Sequence, residues 1–285
     1  MATHKGGTLT KAIVVISDVH TGSIYGLMPP NFTSSDDRPV ALNAGQKFLY
    51  ECWKHFVAKV AAYKPVAIVA NGDLIDGLQP AQRGTELCLP MLADQSKAAQ
   101  ILLKGLLDAC RSPKLYVIAG TAYHTSPAAR EEEVIAETLH AQTYKGAGTG
   151  RYVRQALDLD VDGVHLNFAH AIGVTTGSYR ATAIDKEALF ATLAGREGKV
   201  AHCDGIVRSH VHSFTHVELP HKHALTTPCW QLQTEFCRKK SQYRMLPDVG
   251  GIVLWVDGAA KRAGEDGIRV EKVMYGLPAP TVTKL

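Results

Sequence analysis

Three short apolar runs mark the first part of the chain, and between them the apolar positions recur at helical spacing. The first run, Ala12-Ile13-Val14-Val15-Ile16, is continuous and rich in β-branched residues, and it ends at Ser17-Asp18. That is the pattern of a strand buried on both faces inside an α/β sheet. Across residues 42–63, Phe48, Cys52, Phe56 and Val60 fall on one helix face, and Lys64-Pro65 stops the helix before the second run, Val66-Ala67-Ile68-Val69-Ala70. A second helical stretch over residues 91–110 precedes Ser112-Pro113 and the third run, Leu115-Tyr116-Val117-Ile118-Ala119. This β-α-β-α-β rhythm predicts a mainly parallel first sheet with right-handed crossovers.

The second half is patterned differently. Residues 152–160 alternate, residues 164–169 predict another strand, and residues 184–193 a helix. Residues 205–208 form a short strand running into a His-rich turn, residues 250–256 predict a late strand, and a second sheet is expected. Residues 27–39, with Pro29, Pro30, Ser34, Ser35, Asp36 and Asp37, read as a surface insertion into the first crossover, placed to line a pocket. Arg130-Glu131-Glu132-Glu133 reads as the capped, acidic first turn of a helix beginning near Pro127.

Composition narrows the class. At 285 residues, 46% hydrophobic and 20% charged, the chain is neither disordered nor collagen-like. One α/β domain over residues 1–285 is expected, with residues 1–10 as a flexible tail. The net charge of +4 is too mild for an architectural nucleic-acid binder, although it permits nucleic acid as a partner. Six cysteines with no C-x-x-C pair suggest reduced thiols rather than a zinc ribbon or a disulfide framework. With no apolar leader and no run of 18 apolar residues, a cytoplasmic protein with no membrane partner is expected. The 13 histidines change the picture, because imidazole is the commonest metal ligand.

Each apolar strand is followed at once by a polar cluster, and ligand sites in open α/β sheets lie off the carboxyl ends of strands. After the first strand comes Asp18-Val19-His20, whose i, i+2 spacing in extended chain puts carboxylate and imidazole on one side. After the second comes Gly72-Asp73-Leu74-Ile75-Asp76, where Gly72 allows a tight turn and the Asp73 carboxylate can bridge two metals. The third is followed by Gly120-Thr121-Ala122-Tyr123-His124, the fourth by His170 and the fifth by Ser209-His210-Val211-His212. Taken singly, these are turn carboxylates and core histidines; their order and placement point to one metal site. The His-rich run that continues through His216, His221 and His223 has a separate reading as a metal store or sensor.

The series D-x-H, G-D-x-x-D, a Gly-led His turn, a lone His and G-H-x-H, met here with Ser209 in the Gly place, resembles the calcineurin-like metallophosphoesterase superfamily, over most of the chain. The resemblance implies a four-layer α/β/β/α sandwich of two mixed sheets, with two divalent ions at the strand ends. It assigns Asp18, His20 and His212 to one ion and His170 and His210 to the other, with Asp73 between them. Two blocks depart from the family pattern. The third usually reads Gly-Asn-His-Asp/Glu, with the Asn on the second metal; here His124 can be a metal ligand, Thr121 can be a weak oxygen donor, or His124 can keep the acid role with water filling the place. Ser209 stands where Gly is usual.

In this reading Asp73 and a water bridge ions about 3.5–4 Å apart, and the resulting hydroxide attacks phosphorus in line with the leaving oxygen. Asp73 and His124 are the catalytic candidates, and Asp76 is a carboxylate that orients the loop. The mixed nitrogen and oxygen ligands suit Mn2+ first, then Fe or Zn2+. The expected substrate is a phosphate ester, with a phosphodiester or nucleic acid favoured by the mild basicity and by residues 236–244, which interleave Phe236, Arg238, Lys239, Lys240, Tyr243 and Arg244. A phosphomonoesterase, a phosphoprotein phosphatase and an inactive binding scaffold on the same fold are the alternatives.

Overall fold

The computed structural model describes residues 10–125, 129–146, 149–173, 179–220, 222–240, 243 and 246–279. Residues 1–9 of the expected tail, Pro127, His221 and Arg244 lie outside the described residues. The first part of the chain runs β1 (Lys11–Ile16), a small hairpin of β2 (Phe32–Thr33) and β3 (Pro39–Val40), α1 (Ala44–Ala61), β4 (Ala67–Asn71), α2 (Leu92–Ala109) and β5 (Lys114–Ile118). It continues through a single turn α3 (Ala122–Thr125), α4 (Arg130–Thr138), a hairpin of β6 (Tyr144–Gly146) and β7 (Thr149–Arg151), and β8 (Val153–Arg154). The second part runs β9 (Ala156–Val161), β10 (Val164–Ala169), α5 (Arg180–Arg196), β11 (Gly205–Arg208), β12 (Thr215–Leu219), β13 (Lys222–Thr226), α6 (Glu235–Lys240), β14 (Val249–Val256), α7 (Gly258–Arg262) and β15 (Ile268–Tyr275).

Two large mixed sheets result. The first has the order β15-β14-β1-β4-β5-β8, with β1, β4, β5 and β8 parallel, β14 antiparallel to β1, and β15 antiparallel to β14. The second has the order β12-β13-β11-β10-β9, with β10, β11 and β13 parallel between antiparallel edges. Residues 250–256, read with the second half, therefore belong to the first sheet, where β14 pairs with β1 along its length. The alternating stretch 152–160 is two strands: the chain passes Gln155 from β8 in the first sheet to β9 in the second. Strands β12, β13 and β15 escape the pattern because His, Glu, Lys and Arg interrupt their apolar positions.

The layering follows from which side of each strand is apolar. On β1, Val14 and Ile16 face α1, α2 and α4 together with Ile68, Ala70, Leu115 and Val117, while Ile13 and Val15 face the second sheet through Leu166, Phe168, Val207 and Leu225. Helix α5 closes the far side, setting Ile184 and Ala188 on Ile206 and Ala224. This is the four-layer α/β/β/α sandwich of two mixed sheets. The insertion divides in two: Leu27 joins the main core and Met28 and Phe32 are buried with Leu89 and Ala98, while Ser34, Ser35, Asp36, Arg38, Pro39 and Val40 line a cavity of about 560 Å3 beside Asp94. Among the described residues, no helix is long and apolar enough to cross a membrane, and all six cysteines are unpaired.

Helix α1 shows how local chemistry sets an element. Asn43 accepts from the Gln46 backbone N–H, and the Gln46 side chain accepts from the Asn43 N–H, so a capping box opens the helix. Its inner face carries Leu49, Trp53, Phe56 and Val60, and Phe56 stacks on Trp53 and meets Trp230 edge-on. Gly251 on β14 admits that ring, since a Cβ there would lie 2.7 Å from Phe56 Cζ. Because Phe56 is fully buried, Phe56→Ala is expected to cost about 3–5 kcal/mol, read as a lowered urea midpoint with an unchanged slope.

Candidate metal centre

The ladder between β1 and β4 continues past the strand ends. Asp18 N donates to the Gly72 carbonyl at 3.0 Å and His20 N to the Asp73 carbonyl at 3.1 Å, so the two polar loops lie side by side. The backbone there is not extended. Asp18, His20 and Asp73 have φ of 51°, 48° and 52°, and His210 and His212 on the turn after β11 have 74° and 53°. Left-handed conformations in residues with a Cβ cost roughly 1 kcal/mol or more each and persist only where the surroundings enforce them. Convergence of the Asp18 and His20 side chains thus comes from turned backbone at both positions, not from the alternation of a strand. Gly72, at φ 88°, has its own reason to be glycine: a Cβ there would sit 2.5 Å from His170 Nδ1. At Gly120 a Cβ would sit 2.2 Å from Asp73 Oδ1.

Six of the seven sequence-derived metal ligands gather in two groups. Asp18, His20 and His212 form one, and Asp73, His170 and His210 the other, the chosen ligand atoms of each lying within 4.8 Å of one another. Asp18 Oδ1 is 3.2 Å from His212 Nε2 and 3.9 Å from both His20 Nε2 and His170 Nε2. His20 Nε2 and His212 Nε2 face each other at 3.1 Å, and His170 Nε2 is 3.0 Å from Asp73 Oδ2. His210 lies at the exposed edge and donates its backbone N–H to Asp18 Oδ2.

The outer contacts fix which ring nitrogen is free. His170 Nδ1 lies 2.7 Å from the Asn71 carbonyl and His20 Nδ1 lies 3.0 Å from Asp76 Oδ1, so each Nδ1 carries the proton and each Nε2 turns inward. Asp76 is itself held by Gln79 and Gln231. Among the described residues, buried Asp18 Oδ1 and His170 Nε2 have no hydrogen-bond partner. Buried polar atoms are rarely left so, and an imidazole nitrogen and a carboxylate oxygen aimed at one region are donors a divalent cation would use once the ring gives up its proton. The donors fit such an ion.

Electrostatics agree. Burial pushes the Asp18 carboxyl up, but His212 and His170 outweigh it and hold the group far below the usual carboxylate range. At Asp73 burial is likewise outweighed by His170, His124 and His20. Burial depresses His170, yet Asp73 and Asp18 reverse that and lift it to about 9. His212 is raised against burial by Cys229 and Asp18, whereas burial and a neighbouring imidazole lower His20 and His210. Two buried carboxylates are kept ionised by positive charge supplied between them.

His124 does not join the Asp73 group. Its Nδ1 is 2.8 Å from the Asp76 carbonyl and its ring meets His20 edge-on at 4.4 Å, at a position one-fifth exposed. Thr121 takes the place beside Asp73, donating its N–H at 2.7 Å and its hydroxyl at 3.1 Å to Oδ1. Ser209 is a node between the sheets: its Oγ accepts from Asn71 Nδ2 at 2.6 Å and from Thr227 at 2.7 Å, and Thr227 in turn meets Ser17 at 2.6 Å. Small hydroxyl and amide residues carry no motif, so this brace was not readable beforehand. Residues 236–240 of the basic run lie on a short exposed helix, α6, in which Lys239 pairs with Glu235 and Lys240 lies over Phe236.

Glu131, Glu132 and Glu133 lie in the first turn of α4, as read, although Ala129 caps it without a side-chain hydrogen bond and the helix starts at Arg130. Glu132 is fully buried, and its carboxylate accepts from Leu74 N at 3.2 Å and Gly120 N at 2.8 Å, joining the second and third loops from behind. Glu133 similarly accepts from Tyr152 N and Val153 N. The spacing of these acids is that of any helix start, so sequence could not separate the two roles.

No protein-family model and no curated protein matches the chain. Among solved structures, Vps29 of Entamoeba histolytica complexed with Zn2+ is 13% identical, with 92% of this chain and 98% of that one covered and a TM-score of 0.39. Vps29 of Cryptosporidium parvum is 11% identical over 95% and 100%, TM-score 0.43, and an archaeal phosphodiesterase is 6% identical over 93% and 99%, TM-score 0.41. Likeness at this level says nothing of chemistry, which rests on the side chains.

Burial, with the Asp73 charge nearby, raises Glu132 to about 8 from an ordinary 4.5. The folded state then holds a proton that the unfolded chain has released, so this group's stabilisation is full below about pH 4.5 and falls as pH rises to about 8. In metal-free protein, Glu132→Gln is expected to gain stability relative to wild type across that interval and to hold a constant difference above it. Urea melts at successive pH values measure this; a difference independent of pH would mean that the carboxyl is ionised throughout.

Proposed function

We propose that the chain is a metal-dependent phosphoesterase, with a phosphodiester or nucleic acid as the preferred substrate. One observation carries the reading: two adjoining groups of carboxylate and imidazole side chains, Asp18/His20/His212 and Asp73/His170/His210, in which the buried Asp18 Oδ1 and His170 Nε2 have no hydrogen-bond partner. Two divalent ions, Mn2+ before Fe or Zn2+, would neutralise phosphate oxygens there and supply hydroxide at neutral pH. Asp18, His20 and His212 would hold one, His170 and His210 the other, and Asp73, close to His170 and within the electrostatic reach of His20, would serve both.

The remaining residues position and protonate. Asp76 orients His20 through its carboxylate and His124 through its carbonyl, so His124 presents Nε2 at the rim, suited to hand a proton to the leaving oxygen. Thr121 pins one oxygen of Asp73, which limits the rotation of that carboxylate. The diester preference is supported by the net charge and by Arg238, Lys239 and Lys240 on α6, whose first residue is tied to Glu86 near Asp76.

With Mn2+, purified protein is expected to hydrolyse bis-p-nitrophenyl phosphate. Asp73→Asn should abolish turnover with an unchanged circular dichroism spectrum, and full turnover in that variant would remove the mechanism. His124→Gln should lower kcat by about 10²–10⁴ while bound Mn2+, read by elemental analysis, stays at the wild-type level. Parallel assays with p-nitrophenyl phosphate, single-stranded DNA and cyclic nucleotides rank the substrates.

A further inference from the structure

A second cluster of ligand side chains lies outside the centre and shares no residue with it. His216 and Glu218 project from one face of β12, and His223 stands opposite Glu218 on the antiparallel neighbour β13, so the three meet on the same side of the sheet. That side is the one facing the first sheet, because Val217 and Ala224, which alternate with them, pack under α5. One ligand atom from each residue falls within 4.8 Å of the other two. His216 Nε2 and His223 Nδ1 are 2.9 Å apart, with their rings stacked at 22°.

The tautomer is set from outside. His223 Nε2 lies 2.8 Å from Asp266 Oδ2, and a carboxylate only accepts, so Nε2 carries the proton and Nδ1 offers its lone pair to the cluster. Asp266 is anchored in turn, because its other oxygen accepts from Ile268 N at the start of β15. A carboxylate behind the far nitrogen of a histidine is the recurring support of metal-ligating imidazole. Here it comes from the edge of the first sheet, while the ligands come from the edge of the second. Lys272 on β15 lies over the Phe214 ring just before β12, so the two edges already touch beside the cluster.

We propose that His216, Glu218 and His223 form a second metal site for a divalent transition ion of the Zn2+ class, which staples the β12–β13 edge to β15 through Asp266. Two imidazoles and one carboxylate make a three-ligand set with a fourth place for water. Before binding, the short His216–His223 contact holds one proton between the two nitrogens; the ion replaces that contact, and the proton moves to Nδ1 of His216, leaving both rings neutral. The exposed Glu218 carboxylate supplies the negative charge and needs only to swing inward.

Chelator-treated full-length protein titrated with Zn2+ tests the site by equilibrium dialysis and elemental analysis. Wild type should bind one equivalent more than His216→Gln, and Glu218→Gln, a change at an exposed carboxylate that should not disturb folding, should weaken that equivalent at least tenfold. Asp266→Asn should weaken the same equivalent by about 10–100-fold. The Zn2+-induced rise in Tm should be smaller in Glu218→Gln than in wild type. Identical Zn2+ isotherms for wild type, Glu218→Gln and His216→Gln would overturn the proposal. The isotherm needs no turnover, so it stands or falls separately from the phosphoesterase reading.

Discussion

Two ionised carboxylates buried at one point are the constraint from which the rest of this molecule follows. Asp18 and Asp73 are 0% and 1% exposed, and each is held in its anionic form only because imidazoles crowd between them. An isolated buried charge is costly enough that a side chain normally neutralises instead. Here neutralisation is resisted from both sides: His170 and His212 are pushed towards the charged form, and both carboxylates away from the protonated one. Protons on those rings and divalent ions between them are alternative answers to the same electrostatic demand, so metal uptake at the proposed centre would displace protons.

The fold supplies that demand through paired parallel strands. Because β1 and β4 run parallel with Ile16 opposite Ala70, their polar extensions emerge together, and the hydrogen bonds from Asp18 and His20 to the Gly72 and Asp73 carbonyls keep them in step. The second sheet repeats the device with β10 and β11, placing His170 and the turn of residues 209–212 on the same end. What keeps the two sheets from sliding is polar as well as apolar. Ser17, Thr227, Ser209 and Asn71 form a buried chain of short hydrogen bonds directly beneath the ligands. With five ligand residues held at positive φ, the backbone needs such a brace, since each position stores strain that only its neighbours can hold.

The apolar runs made the strands of the inner layers legible, because a strand buried on both faces cannot carry polar residues until it ends. The same rule made the candidate ligands legible: Asp18, Asp73, His170 and His210 are each placed where an apolar run stops. Legibility failed where burial and polarity coincide. Strand β13 is buried at every position yet carries Lys222 and His223, and β15 alternates with Arg269, Glu271 and Lys272 at a sheet edge. Glu132 looked like any acidic helix start, and Gln79, Gln231 and Thr227 act only through partners far away in sequence. Neither spacing nor composition encodes a contact of that kind.

The altered third loop has a consequence within the proposed centre. A carboxylate has two oxygens, and a residue that serves two ions needs a lone pair free on each side. Thr121 donates twice to Asp73 Oδ1, while Oδ2 faces His170. An oxygen already accepting two hydrogen bonds is a weaker ligand than a bare one, so the two sides of Asp73 are unequal. The hydroxyl of Thr121 also keeps its own lone pairs, 3.1 and 3.3 Å from the two Asp73 oxygens, where a neutral oxygen donor can reach an ion without adding charge. A neutral hydroxyl binds a divalent ion less tightly than carboxylate or imidazole. In the proposed centre the loop would therefore make the pair asymmetric: a position closed by Asp18, His20 and His212, and a more weakly held one at Asp73, His170 and His210, of which His210 lies at the exposed edge.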